Sequence, residues 1–402
     1  MSAVSHITLH LPPSPTTDIE TAYVKLVLGA AHHNPALLHR YLGPAEWPAE
    51  VAAHPPTSEA LRQQAIDVAT MVQQSQLPHH RRDWLLRNIR ALLWLARAQE
   101  GEQIMFAEQV RLLLDVPPES AGELVFETAH EALDACLPGS GSLTERWADW
   151  QAAYTLPADQ AQPLLNQALD ALRALLGRNS PLAVPSGGPV VVASNEGCDD
   201  SAAGDHQPDG GAAPAVRIDR LFHQAAQLIA QHSLHTMAAQ RSVGPQGQVI
   251  GAVLLNQGPE QIIRQGLPQA ILAGVDLYSA PLPGLLAQAN LPPLPAADLQ
   301  AIHLAEDALA WTVANTALLL HGEHLRPRAL RRHLTAHALV SPAAANEILD
   351  RLADPIAAAH VFAPLIGGPL LTAWLAHRKH TLADLLLDPP APSMLLYRVS
   401  KG

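Results

Sequence analysis

Apolar residues recur at helical spacing along most of this chain, and this pattern restricts the fold more than any other feature. Residues 82–99 show it most clearly, with one broad apolar face made by Trp84, Leu85, Ile89, Leu92, Leu93 and Leu95. Ala and Leu, which favour helices, dominate the composition, whereas the longest β-branched run is only Val190–Ala193. We therefore predict an all-α protein made of many helices.

A polar segment divides this helical pattern into two halves. Residues 179–215 are rich in Pro, Gly, Ser and Asp and contain the pairs Gly187–Gly188 and Gly210–Gly211. Such a composition is typical of a linker or a mobile insert. We predict an N-terminal helical half at 18–178, an insert at 179–215 and a C-terminal helical half at 216–398. Within the latter, Ser341–Pro342 predicts a capped helix start.

The charge of the chain excludes some partners. Its 37 acidic and 25 basic residues give a net charge of −12. Nucleic acids and anionic membrane surfaces both require a basic face, so we predict neither as a partner. With only two cysteines, Cys136 and Cys198, and no signal-peptide pattern at the N-terminus, we predict a cytoplasmic protein.

One segment is long enough to cross a membrane. Residues 355–376 contain no Asp, Glu, Lys or Arg. They also contain Pro364, Gly367, Gly368 and Pro369, which break helices. We therefore predict two short buried helices here and no membrane span.

The histidine pair His232 and His235 is the strongest chemical motif. Residues three apart lie on one helical face, so both imidazoles can reach a single metal ion. A hydrolytic zinc site also needs a general base, but position 233 is a serine. Two histidines that merely pack or face solvent are the alternative interpretation.

Several stretches together resemble a bacterial family of uncharacterised zinc-peptidase-like proteins, which are helical and similar in fold to the thermostable HExxH-type carboxypeptidases. These stretches are Tyr23–Leu26, Tyr41–Trp47, Gly101–Phe106, Val110–Asp115, Leu137–Leu143, Asp354–Phe362 and Leu371–Leu375. The resemblance covers nearly the whole chain except 179–215. It implies a multi-helix, metallopeptidase-like architecture with a central cleft.

The resemblance also implies site residues. The metal-binding histidines correspond to His232 and His235, and the ligand glutamate of the family corresponds to Gln265. The base glutamate corresponds to Ser233, and a tyrosine of the family corresponds to His360. A serine cannot replace a carboxylate as base near neutral pH, and glutamine is a weaker zinc ligand than glutamate.

Three hypotheses follow from these residues. The first is a metallopeptidase-like protein that is catalytically impaired and acts as a binding or regulatory module for a peptide or protein. The second is a divergent zinc hydrolase in which His232, His235 and Gln265 or Glu260 hold the ion and His360 stabilises the oxyanion. The third is a structural helical oligomer without a ligand.

Overall fold

The computed structural model describes residues 15–177, 182, 215–243, 253–377, 382–387 and 389–401. The predicted insert at 179–215 lies outside these residues except for Leu182 and Ala215, and so does the predicted strand Val190–Ala193. Helices make up most of the described chain, which confirms the predicted all-α class.

The helices that precede the insert are α1 (Pro15–His33), α2 (Glu46–Ala53), α3 (Ser58–Gln74), α4 (His79–Gln99), α5 (Phe106–Leu114), α6 (Glu123–Cys136), α7 (Leu143–Ala153) and α8 (Ala158–Leu176). The helices that follow it are α9 (Leu221–Val243), α10 (Glu260–Ala273), α11 (Pro281–Gln288), α12 (Ala296–His321), α13 (Pro327–His337), α14 (Pro342–Leu352), α15 (Pro355–His360), α16 (Phe362–Ala376), α17 (Leu382–Leu387) and α18 (Pro392–Lys401).

Two short antiparallel ladders connect the two halves of the chain. Strand β1 (Leu38–Tyr41) pairs with β4 (Val253–Leu255), and β2 (Thr155–Pro157) pairs with β3 (Ala215–Arg217). In each ladder one strand precedes residue 179 and the other follows it. The ladders therefore tie the N-terminal half to the C-terminal half on both sides of the insert.

Local sequence explains where several helices begin. The Ser341 hydroxyl accepts a hydrogen bond from the Ala344 amide, and Pro342 occupies the first helical position of α14, as predicted. Ser142 and Glu145 form a complete capping box at α7, which satisfies amides that the helix itself leaves unpaired.

The buried apolar residues form one continuous core that includes side chains from both halves. At its N-terminal end, Tyr23 and Trp84 meet edge to face with ring centres 6.0 Å apart. At the β2–β3 ladder, Trp147, Trp150 and Tyr154 stack in succession. A shared core couples the two halves, because neither could be removed without exposing apolar surface of the other.

Two glycines allow α10 and α16 to cross at unusually close range. A Cβ atom at Gly266 would lie 2.2 Å from the carbonyl carbon of Gly367, and one at Gly367 would lie 2.2 Å from the carbonyl oxygen of Ile262. Both clashes are with backbone atoms, which cannot move aside as a flexible side chain can. This crossing fixes α10 against the segment that contains α15 and α16.

The apolar segment at 355–376 is one part of the fold that the sequence misrepresents. Its break falls at Val361, between α15 and α16, whereas Gly367, Gly368 and Pro369 lie inside α16. The predicted break at these residues is wrong, because the close crossing with α10 stabilises helix at positions that otherwise disfavour it. Among the described residues, Pro355–Ala376 is the one stretch long and apolar enough to span a membrane, and half of its most apolar part is buried within the protein.

Candidate functional site

A β-bulge in β1 builds the site around the histidine motif. The β1–β4 pairing joins Leu38 to Leu255 and Arg40 to Leu254, so His39 is an extra residue in the ladder. In a regular strand His39 and Arg40 would point to opposite faces, but a bulge lets neighbouring side chains turn to one side. Here both reach the same ring on α9, that of His235.

The ring of His235 is hydrogen-bonded on both of its nitrogen atoms. Arg40 Nη1 lies 3.3 Å from His235 Nδ1, and His39 Nε2 lies 3.1 Å from His235 Nε2. Because arginine can only donate, Nδ1 of His235 accepts and the ring proton sits on Nε2. That Nε2–H group then donates to His39, which stacks against His235 with ring centres 5.2 Å apart.

The surroundings of His235 are positively charged. Burial lowers its pKa to about 4, and the neighbouring His39, Arg40, His232 and Arg264 lower it further. The side chains with the largest effect on its pKa are histidines and arginines. We call His39, Arg40, His232, His235 and Arg264 the cationic cluster. It lies within a chain of net charge −12.

The cationic cluster is accessible to solvent. Arg40 and His232 are exposed, while His39, His235 and Arg264 are half-buried. Arginine has five N–H donors, and Arg40 uses one of them for His235. The cluster can therefore present hydrogen-bond donors and positive charge to a ligand from solvent.

The predicted base position is not available for chemistry. Ser233 is fully buried, and its hydroxyl donates to the Ile229 carbonyl one turn earlier in α9 at 2.6 Å. It therefore faces the core, while its neighbour His232 faces solvent. This bond between a side chain and its own helix is common for serine in helices and supplies no base.

The predicted residues on α10 lie near the cluster. Glu260 is the first residue of this helix, where a carboxylate favours the helix dipole, and it accepts a hydrogen bond from the Leu255 amide at 3.2 Å. Its charge acts on buried Tyr23, whose pKa is raised well above the usual value by burial and then by Glu260. Gln265 is half-buried and directly follows Arg264 in the chain.

His360, at the end of α15, is the remaining predicted site residue. Burial lowers its pKa to about 4, and the charge of Arg264 lowers it further. Its Nε2 atom is shielded from solvent, and none of the described residues forms a hydrogen bond with it. The charge of Arg264 thus acts on both His235 and His360, which places these two predicted residues around one guanidinium group.

A zinc ion fits this arrangement poorly. Zinc requires an imidazole lone pair, but the Nδ1 lone pair of His235 binds Arg40 and its Nε2 carries a proton. Nearby positive charges also repel a divalent cation. Among the described residues, no three His, Cys, Asp or Glu side chains come together to hold a metal ion. A metal role for His232, His235 and Gln265 stays a prediction.

A second polar cluster lies between β3 and α12, and it is of a different kind. Arg217 donates to Asp219 and to Glu306, its Nη1 lying 2.7 Å from Glu306 Oε1, and Arg220 also pairs with Glu306. His303 Nε2 lies 3.1 Å from Asp219 Oδ2, and Tyr278 donates its hydroxyl to His303 Nδ1 at 2.9 Å. We call these residues the paired network.

The paired network is buried and electrically balanced. Burial alone would raise the pKa of Asp219, but the charge of Arg217 and hydrogen bonds from His303 and Arg217 hold that pKa well below its usual value. The Arg217 guanidinium also lies over Trp150, 4.9 Å from the ring centre. Each charge has an opposite partner, which is typical of a structural connection.

The sequence motif identified His235 but missed the residues that surround it. His39 and Arg40 belong to a short strand nearly 200 residues earlier, and no local pattern marks their role. Arg264 directly precedes the predicted Gln265, but it was not assigned a role from the sequence. The bulge at His39 could be predicted only if the pairing of β1 with β4 were already known.

Comparison of the chain with protein-family models, curated proteins and solved structures found no match.

Proposed function

We propose that this protein is a non-catalytic binding module on a metallopeptidase-like helical scaffold, and that its cationic cluster binds a carboxylate group of a peptide or protein ligand. The observation that carries the proposal is the environment of His235, whose ring is held between Arg40 and His39 and whose pKa is lowered by neighbouring arginines and histidines. The cleft that the resemblance implies would hold the rest of the ligand.

The chemistry of the cluster suits a carboxylate. Guanidinium groups form strong, often bidentate hydrogen bonds with carboxylates, and Arg40 keeps further donors toward solvent. A local positive region in an acidic protein also directs an anionic group to one place, because the rest of the surface repels it.

The same residues support a binding role without hydrolysis. Ser233 is buried and bonded to its own helix, and Glu260 accepts from the Leu255 amide at the start of α10. Ser233 therefore cannot take a proton from a water molecule held at His235, and one oxygen of Glu260 is already engaged by a backbone amide. Loss of a general base typically lowers a rate about 10²- to 10⁴-fold.

A zinc-dependent hydrolase is the second candidate, and one distance favours it. The two Nε2 atoms of His39 and His235 lie 3.1 Å apart. Two nitrogens on one tetrahedral zinc ion lie about 3.3 Å apart, given Zn–N bonds of about 2.0–2.1 Å. In this case His39 would replace His232 as the partner of His235, and the ring proton of His235 would have to move from Nε2 to Nδ1, which breaks the hydrogen bond from Arg40.

Calorimetric titration with acidic peptides tests the first candidate. Each peptide is used with a free C-terminal carboxylate and as the C-terminal amide. We expect Arg40→Gln to weaken binding of the free acids about 10- to 100-fold, since a hydrogen bond to a charged group contributes about 1.5–3 kcal/mol. Arg173→Gln is the matched control, because Arg173 is an exposed arginine paired with Asp170. Equal binding by wild type and Arg40→Gln would refute the proposal.

Zinc content and peptide hydrolysis test the second candidate. The binding proposal predicts that His235→Ala changes neither the amount of zinc retained by purified protein nor the rate of peptide cleavage. One equivalent of zinc that disappears in both His39→Ala and His235→Ala, together with cleavage that depends on it, would establish the hydrolase instead.

A further inference from the structure

The facing surfaces of α6 and α13 contain a histidine cluster remote in sequence from the cationic cluster. His333 and His337 lie one turn apart on α13, and their ring centres are 4.7 Å apart. Phe126 of α6 packs against both rings, edge to face against His333 and tilted against His337. His130, one turn later on α6, donates from Nε2 to the His337 carbonyl at 3.0 Å.

The separation of the two rings matches a shared metal ion. Histidines four residues apart on one helix are a common spacing for metal ligands. Given Zn–N bonds of about 2.0–2.1 Å, two imidazoles on one tetrahedral ion have ring centres about 5 Å apart. The His333–His337 pair is therefore already close to a chelating arrangement.

One buried nitrogen atom of the His333–His337 pair has an unsatisfied hydrogen-bonding group. The Nε2 atom of His333 is shielded from solvent and makes no hydrogen bond with any residue that the structure describes. A shielded polar atom without a partner costs about 1–3 kcal/mol, so a ligand that engages it is favoured. Packing of the rings against Phe126 explains their positions but leaves this nitrogen unsatisfied.

The surroundings of His333 favour its neutral, metal-binding form. Burial lowers the pKa of His333, the neighbouring His337 lowers it further, and Glu123 of α6 opposes both. Neutral imidazole is the form that binds metals. Arg331 and Arg332 precede His333 directly, but residues one or two apart on a helix do not face each other.

We propose that His333 and His337 form a binding site for a late first-row divalent metal ion such as Cu²⁺ or Zn²⁺. Imidazole nitrogen is a preferred ligand for both ions. No three His, Cys, Asp or Glu side chains of the described residues are arranged around one ion, so the site rests on these two imidazoles. It is independent of the proposed carboxylate-binding function.

The test uses the full-length chain in a His235→Gln background, which removes the ring at the centre of the cationic cluster. Cu²⁺ is titrated in a calorimeter, and nitrogen couplings in the electron paramagnetic resonance spectrum count the bound imidazoles. We expect one ion bound through two imidazoles, and we expect His333→Ala and His337→Ala each to weaken binding by about tenfold or more, since even indirect partners of a metal ligand contribute that much. His54→Ala, at an exposed histidine of the N-terminal half, is the control.

Fold integrity is checked by the thermal unfolding curve of each variant. If His333→Ala does not fold, His333→Asn and His337→Gln keep a polar side chain and replace the alanine variants. Absence of a two-imidazole spectrum, or Cu²⁺ affinity unchanged in both histidine variants, would overturn the proposal. The result is separate from the peptide titration, because that experiment depends on Arg40 and not on α13.

Discussion

The cationic cluster and the paired network use the same residue types in opposite ways. In the paired network Arg217 and Arg220 lie against Asp219 and Glu306, so every buried charge is balanced. In the cationic cluster Arg40 donates to a neutral imidazole, and the side chains that lower the pKa of that imidazole most are histidines and arginines. Balanced charges inside a protein connect its elements, whereas an accessible excess of one sign calls for a ligand of the other.

The largest effect should come from unbalancing the paired network. Asp219→Ala leaves the buried guanidinium of Arg217 with one carboxylate fewer and removes the acceptor of His303. Removing one partner of a buried ion pair typically costs about 3–5 kcal/mol, and we expect a loss of this size in the free energy of unfolding measured by urea denaturation.

Asp170→Ala is the control for that comparison, since Asp170 and Arg173 form an exposed pair on α8. Exposed pairs contribute about 0–1 kcal/mol. If the two substitutions lowered the free energy of unfolding equally, the assignment of the paired network as a structural connection would be wrong.

Acid should destabilise the fold through histidines that are held neutral. Burial is the first cause of a pKa of about 4 for His223, His235 and His360, compared with 6.5 for an ordinary histidine. The unfolded chain therefore binds more protons than the native state between about pH 6.5 and pH 4. Their contribution to stability is complete above pH 6.5 and is lost as the pH falls through this range.

Calorimetric melting curves between pH 7.5 and pH 4.5 measure this effect. We expect Tm to fall with pH below about 6.5, and we expect the fall to be shallower in His360→Gln than in the wild type. A Tm that stays constant, or rises, between pH 6.5 and pH 5 would contradict neutral histidines in the native state.

A smaller effect is expected at the end of the paired network. Tyr278→Phe removes the hydroxyl that donates to His303 but keeps the ring. One such hydrogen bond contributes about 0.5–1.5 kcal/mol, and urea denaturation should show a loss of this size. A loss as large as that of Asp219→Ala would mean that the tyrosine, and not the ion pairs, holds the network together.

The smallest change in stability is expected in the cationic cluster. Arg40→Gln removes an exposed positive charge from a group of positive charges, so the free energy of unfolding should change by no more than about 0.5 kcal/mol. Urea denaturation of this variant, together with the peptide titration, separates a ligand-binding role from a structural one. A loss above 2 kcal/mol, roughly the value of a buried hydrogen-bonded charge, would place Arg40 among the structural residues.

The helices could be predicted from sequence, because their signals are local. Residues 82–99, whose apolar spacing predicted a helix, lie within α4, and Ser341 caps α14 as expected. The break in residues 355–376 could not be placed, because helix continues through Gly367 and Pro369 only where α10 packs against it. Local propensity is overridden there by a contact with a distant helix.

The candidate site could be predicted only in part, for the same reason. The i, i+3 spacing identified His235 on α9. The resemblance to zinc peptidases drew attention to ligands for a metal and away from Arg40 and Arg264. The role of His39 depends on a bulge in a ladder between β1 and β4, whose pairing joins residues more than 200 positions apart.

The most direct test of the central claim is the protonation and binding state of the His235 ring. Protein labelled with ¹⁵N-histidine, with His235→Gln used to assign the signals, reports each ring nitrogen by NMR. We predict a neutral ring at pH 7 with its proton on Nε2, unchanged by added Zn²⁺ and shifted by a peptide with a free C-terminal carboxylate. Zn²⁺-dependent shifts of the His39 and His235 nitrogens that mark metal coordination, without a response to the peptide, would contradict it.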